Sequence, residues 1–111
     1  MLKRENRLKK RKSFNYIHNR GTKTHADCLF LTYVYAKGEI KIGFSVSKKT
    51  GNAVIRHRVT RQMRSAAKQL LPLIKTNHSI IFVAKETITG LHIDVIKQNM
   101  LTSLKKAGLL I

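Results

Sequence analysis

The stretch GNAVIRHRVTRQMRSAAK, residues 51–68, decides how the chain folds. Asn52 is a residue type that caps a helix N-terminus, and Pro72 supplies a stop, so the spacing predicts one long helix between them. At 3.6 residues per turn, Ile55, Val59, Met63, Ala66 and Leu70 line up on one stripe, with Ala67 just beyond it. His57, Arg58, Arg61, Arg64 and Lys68 fall in a sector about 120° wide on nearly the opposite side. The helix must therefore bury one face against another layer and present the other as a row of cations. Arg56, in the first turn, lies toward the apolar side. A merely solvated face would interleave Glu at i and i+4 to offset its cations. No acid stands between Ile40 and Lys85, so the row costs folding stability and reads as a binding surface. Arginine suits it to phosphate, because a planar guanidinium can make two parallel hydrogen bonds to the oxygens.

Immediately before this helix, "IKIGFSVS" (40–47) alternates Ile40, Ile42, Phe44 and Val46 with Lys41, Gly43 and Ser45, the period of a half-buried strand. The loop "KKTG" joins the two. Further back, "THADCLFLTYVYA" (24–36) is rich in aromatic and β-branched residues and ends at a turn on Gly38. Ahead of it, Ser13 is placed to cap a short helix, "FNYIHN", that Gly21 could end in a left-handed conformation. Phe14, Ile17 and His18 share one face of it. Residues 1–12 hold seven Lys or Arg and only Leu2 and Leu8 as large apolar residues, so they are predicted to form a flexible basic arm. Downstream, "HSIIFVA" (78–84) reads as a strand buried on both faces. From about His92 to Ala107, a stripe of Ile93, Ile96, Met100, Leu104 and Ala107 predicts a last helix, closed by the cations and glycine of "KKAG". Residues 1–111 thus read as a single α+β domain with a basic arm.

Composition narrows function. The 111 residues include 23 Lys and Arg against five Asp and Glu, a formal charge of +18, so a polyanion is the expected partner. No apolar run approaches the ~18 residues of a membrane span, and no hydrophobic segment follows the basic N-terminus as in a signal peptide. A soluble, cytoplasmic protein without membrane association is predicted. An amphipathic membrane-surface helix would carry Trp or Phe where this one has Ala66 and Ala67. Glu5, Asp27, Glu39, Glu86 and Asp94 are scattered singly, which argues against a self-sufficient two-metal nuclease. His18, His25, His57, His78 and His92 show no metal-ligand spacing on a common face, and Cys28 sits in an apolar strand as a small core residue. No catalytic residue and no metal site are predicted on the protein.

The order "FSVSKKTGNAVIRHRVTRQMR", behind a Phe-bearing helix and strand, closely resembles the bacterial ribonuclease P protein component, over nearly the full length from "ENRLKKRKSF" to "LKKAGLL". The resemblance implies an α-β sandwich of order αβββαβα, ribosomal protein S5 domain 2-like, with a left-handed βαβ crossover through the arginine helix. It implies that a separate RNA subunit performs the hydrolysis with Mg²⁺, removing the 5′ leader of precursor tRNA, while the protein binds that RNA and the leader and needs no protein partner. Contacts to the RNA subunit would come from Lys48, Lys49, Asn52, Arg56, His57, Arg58, Arg61, Arg64 and Lys68, supported by Arg7, Lys9, Lys10 and Arg11 of the arm. The leader cleft would be formed by Phe14, His18, Phe30 and Thr32, since unstacked bases can lie on aromatic rings whatever their sequence. Two positions depart from the family pattern. His57 replaces the usual Asn, keeping a hydrogen-bond donor on an imidazole in place of an amide, and Thr60 replaces the usual Lys, removing a phosphate contact. The competing reading is another small basic RNA-binding protein of ribosomal type, without a role in tRNA processing.

Overall fold

The computed structural model describes residues 3–111. Its elements run α1 (Arg11–Arg20), β1 (Thr22–His25), β2 (Leu29–Tyr35), β3 (Lys41–Ser45), α2 (Ala53–Leu70), β4 (His78–Ala84) and α3 (Ile93–Ala107), the αβββαβα order. The sheet order is β1-β2-β4-β3. β1 pairs with β2 and β2 with β4 antiparallel, whereas β3 and β4 are parallel neighbours joined through α2. That βαβ unit is forced by the sequence stretch read first: an 18-residue helix with one apolar stripe must lie back on the sheet its own strand belongs to.

The pleat sorts the strands into two faces. Leu29, Leu31, Ile42, Phe44, Ile80 and Phe82 point to one side, where α2 and α3 close the core with Val59, Met63, Leu70, Ile96, Met100 and Leu104. Phe44 and Phe82 stack there at 6.2 Å between centroids. α1 covers the other face through Ile17, which is buried. β4 is central, and Ser79 to Phe82 are all buried, as its unbroken apolar run predicts. α3 ends at Gly108 in the left-handed region (φ 71°), its N–H bonded to the carbonyls of Leu104 and Lys105.

Four local expectations change. α1 begins at Arg11 after an uncapped Lys10, so Ser13 lies inside the helix. Gly21 is extended (φ −74°), not left-handed; it is glycine because a Cβ would meet the Ile17 carbonyl oxygen at 2.5 Å and the Thr32 methyl closer still. The segment 24–36 splits into two strands, with Ala26–Cys28 as the turn between β1 and β2. The described part of the arm is docked. Asn6 is buried and donates from Nδ2 to the Ile40 carbonyl at 2.8 Å, Leu8 N–H donates to the Ile42 carbonyl at 3.0 Å, and Arg7 bridges to Ile42 in parallel register. β3 is an edge strand with backbone groups to satisfy, and the arm supplies them by main chain and one amide, while Leu8 lies half-buried beside Gly43. Met1 and Leu2 lie outside the described residues. Among the described residues no helix is long and apolar enough to cross a membrane.

Candidate RNA interface

α2 is set in place from its first residue. The Asn52 side-chain oxygen accepts from the Ile55 N–H at 3.0 Å, as its capping role predicts. Gly51 (φ 156°) precedes it because a Cβ there would meet Ile55 at 2.9 Å. Lys48 and Lys49 stand exposed on the turn before it.

The cations of α2 do not form one uniform row. His57, Arg61, Arg64 and Lys68, with Ser65 and Gln69, line an open groove of about 780 Å³. Arg58 faces a second hollow of about 530 Å³, shared with Gln62, Leu91 and His92 at the entrance to α3. Gln62 ties the two helices there by donating to the Leu91 carbonyl at 3.3 Å. Arg56 is half-buried with its Nε enclosed and unpartnered, so any outward contact must come from the rest of its guanidinium. Thr60 donates its hydroxyl to the Arg56 carbonyl at 2.8 Å. No Asp or Glu lines either groove.

α1 crosses the opposite sheet face diagonally, from Gly43 on β3 to Thr32 on β2. Its start is fixed by Phe14, whose Cζ lies 2.5 Å from where a Gly43 Cβ would stand; its end is fixed by Gly21 against Thr32. Thr32 is thereby wholly buried and its hydroxyl has no hydrogen-bond partner. It is on the expected face but beneath the helix, and so is removed from the set of leader contacts. Phe30 sits one row along, half-buried and flanked on β1 by His25 (5.0 Å between centroids) and Lys23 (Nζ 5.8 Å from the ring centroid). His18 is half-buried on the Phe14 side of α1. Lys23 and His25 were missed in the sequence because "TKTH" carries no apolar residue; their alternation opposite Thr32 and Phe30 was the available signal.

The arm connects the two surfaces. Arg7, Leu8, Lys9, Phe14, Phe44 and Arg64 line a cleft of about 230 Å³ that runs from α1 round the edge strand to α2. Lys10 and Arg11 are exposed beside it at the start of α1. Among the described residues no group of three or more His, Cys, Asp or Glu could hold a metal ion. Burial pushes the Cys28 thiol up from its ordinary pKa, keeping it protonated in the core.

A single α-β sandwich bearing an acid-free arginine helix and a half-buried aromatic cleft on opposite faces of one sheet defines a small RNA-binding protein. Residues 2–108 match the family described as Ribonuclease P. A ribonuclease P protein component of Bacillus cereus (strain B4264) is 31% identical, the match covering 97% of this chain and 96% of that one. The structure of the Staphylococcus aureus RNase P protein superposes with a TM-score of 0.85 at 27% identity, covering 96% of this chain and 98% of that one. The RNase P protein from Thermotoga maritima shares the fold at 18% identity, with a TM-score of 0.82 and coverage of 90% and 96%. The chain belongs to the ribonuclease P protein family. Its role is that of the protein component of the ribonucleoprotein that processes precursor tRNA, partnered with ribonuclease P RNA, and a ribosomal-type alternative is not favoured.

Proposed function

We propose that this protein holds the catalytic RNA with the outer groove of α2 and the 5′ leader of precursor tRNA with the Phe14 cleft, leaving hydrolysis to the RNA and its Mg²⁺. The observation that carries the reading is the continuity of the two surfaces: Arg64 lines both the α2 groove and the cleft that contains Phe14. His57, Arg61, Arg64 and Lys68 neutralise RNA phosphates, with Lys48, Lys49 and the Asn52 amide extending the contact. Arg58, across the helix, meets a separate phosphate. Arg7, Lys9, Lys10 and Arg11 supply charge where the two RNAs approach each other. Phe14, His18 and Phe30 offer ring faces to unpaired leader bases, and Lys23 and His25 complete the wall beside Phe30. With hydrolysis left to the RNA, the protein's contribution is binding energy and positioning. The reaction takes place in the cytoplasm and requires no further protein.

The test is cleavage of precursor tRNA at low Mg²⁺ by the protein alone, by a bacterial ribonuclease P RNA alone, and by the two together. Cleavage at the mature 5′ end only in the mixture is expected. In a direct titration of the RNA subunit across a salt series, Arg61→Ala is expected to lower the slope of binding by roughly one phosphate-equivalent. An unchanged slope would remove α2 as the contact surface.

A further inference from the structure

The two hollows beside α2 differ in kind. The groove of His57, Arg61, Arg64 and Lys68 is walled by α2 alone, so a strand can lie along it but nothing can be enclosed. The hollow of about 530 Å³ at the entrance to α3 has two walls. Ile55 and Val59 of α2 form one; Leu91 and Ile93 form the other, where the chain turns at Gly90 (φ 81°) into α3. Val59 is buried and closes the floor, while Ile55, Leu91 and Ile93 are half-buried. The Gln62 bond to the Leu91 carbonyl fastens one wall to the other. The hollow is therefore formed before any ligand arrives, which lowers the ordering cost of filling it.

Polar groups at its rim have capacity to spare. Gln62 spends its Nε2 on Leu91, which leaves Oε1 as an acceptor. His92 caps α3 by accepting the Asp94 N–H on Nδ1 at 3.1 Å, so the ring proton stands on Nε2 and makes that nitrogen a donor. Arg58 is exposed on the α2 side and makes no ion pair among the described residues. Asp94 stands beside His92 at 3.4 Å but does not line the hollow. The volume falls in the range of built ligand sites, as does the pattern of apolar walls with a few polar groups. An apolar slot with one acceptor, one donor and an unpaired guanidinium outside suits a single nucleotide. The base faces are buried, its pairing edge is hydrogen-bonded and its phosphate is neutralised. A base inside a duplex is stacked on both faces and cannot enter, so the slot selects one that is splayed out.

We propose that this hollow seats one extrahelical base of the ribonuclease P RNA, with Gln62 and His92 on the base edge and Arg58 on the phosphate of the same nucleotide. The inference rests on the reading of α2 as the contact to the RNA subunit. It makes Arg58 half of a nucleotide site, so that its contribution to binding is coupled to the filling of the hollow.

The experiment titrates a bacterial ribonuclease P RNA with the full chain across a salt series, and maps base reactivity in the complex with dimethyl sulfate and a carbodiimide. Ile93→Trp fills the hollow without touching a charge and is expected to weaken binding about ten-fold at unchanged salt slope. Arg58→Ala should lower the slope by roughly one phosphate-equivalent. Because both act on one nucleotide, the double variant should lose less than the two single losses combined. One unpaired base should be shielded by the wild type and left reactive by Ile93→Trp. His92→Asn keeps a side chain able to cap α3 but removes the Nε2 donor. It should leave the urea midpoint unchanged and raise the reactivity of that same base, which keeps the test decisive if Ile93→Trp fails to fold. Additive losses, or the absence of any base whose shielding depends on Ile93 or His92, would overturn the site and leave Arg58 as a phosphate contact alone. RNA affinity indifferent to both Arg58→Ala and Arg61→Ala would overturn the reading of α2 itself. If Ile93→Trp leaves RNA binding intact but abolishes a dimer seen by sedimentation, the hollow holds a second copy of this chain and the proposal is lost.

Discussion

Gly21 and Gly43 hold the two ends of α1 on the sheet, but what a methyl group would strike differs between them. At Gly21 it meets the backbone carbonyl of Ile17 and the buried Thr32 methyl, neither of which can move without shifting helix or strand. Gly21→Ala is expected to destabilise by about 1–3 kcal/mol, read as a lower urea midpoint at unchanged m. At Gly43 the obstacles are the tip of the Phe14 ring and the Leu8 methyl, at 2.5 and 3.1 Å, both ends of rotatable side chains. Gly43→Ala should therefore cost less stability than Gly21→Ala while weakening binding of precursor relative to mature tRNA, because the displaced ring is the cleft wall. Equal destabilisation by both would mean that Phe14 is fixed packing. The same residue-scale view explains why Thr32 was misjudged in the sequence: strand alternation gives its face, but not the depth at which Gly21 brings α1 down upon it.

At the scale of the element, Asn52 caps α2, and in the proposed interface it carries a second duty as an RNA contact. Asn52→Ala removes the cap and should lower stability by about 1 kcal/mol, with weaker RNA binding alongside. Asn52→Asp separates the duties. A carboxylate accepts the same Ile55 N–H and suits the positive end of the helix, yet it sets an anion next to Lys48 and Lys49. Thermal midpoint should hold or rise while RNA affinity falls; parallel loss of both would place Asn52 outside the interface. Elements with apolar periodicity, namely α2, β3, β4 and α3, were legible in the sequence, with the Asn52 cap of α2 and the glycine that closes α3, as was the opposition of the buried and cationic faces. β1 was not, because an edge strand of Thr, Lys, Thr and His buries too little to leave a pattern. The docked arm was hidden for a related reason: its attachment is main-chain pairing and the Asn6 amide, which hydropathy does not register. A helical wheel gives the angle of Arg58 but not its neighbour, and only the packing of the α3 entrance against α2 separates it from Arg61.

At the scale of the whole molecule, a charge of +18 is confined to a body with a 12.7 Å radius of gyration. At 0.01 M salt the Debye length is about 30 Å, so every cation repels every other across the fold; at 0.15 M it is about 8 Å and only neighbours do. Five acids cannot form enough pairs to reverse that balance, and the His92–Asp94 contact at 3.4 Å lies between two exposed side chains. The free protein is therefore expected to become more heat-stable, by several degrees, as NaCl rises from 0.01 to 0.15 M. A flat or falling midpoint would mean that ion pairs outweigh the repulsion. With RNA bound the sign should reverse. The phosphates then do the neutralising, the bound state is stabilised in proportion to RNA affinity, and salt weakens that affinity by competing for the same cations. Melting the protein with and without its RNA partner across one salt series measures both slopes, and opposite signs are what a surface made for a polyanion requires.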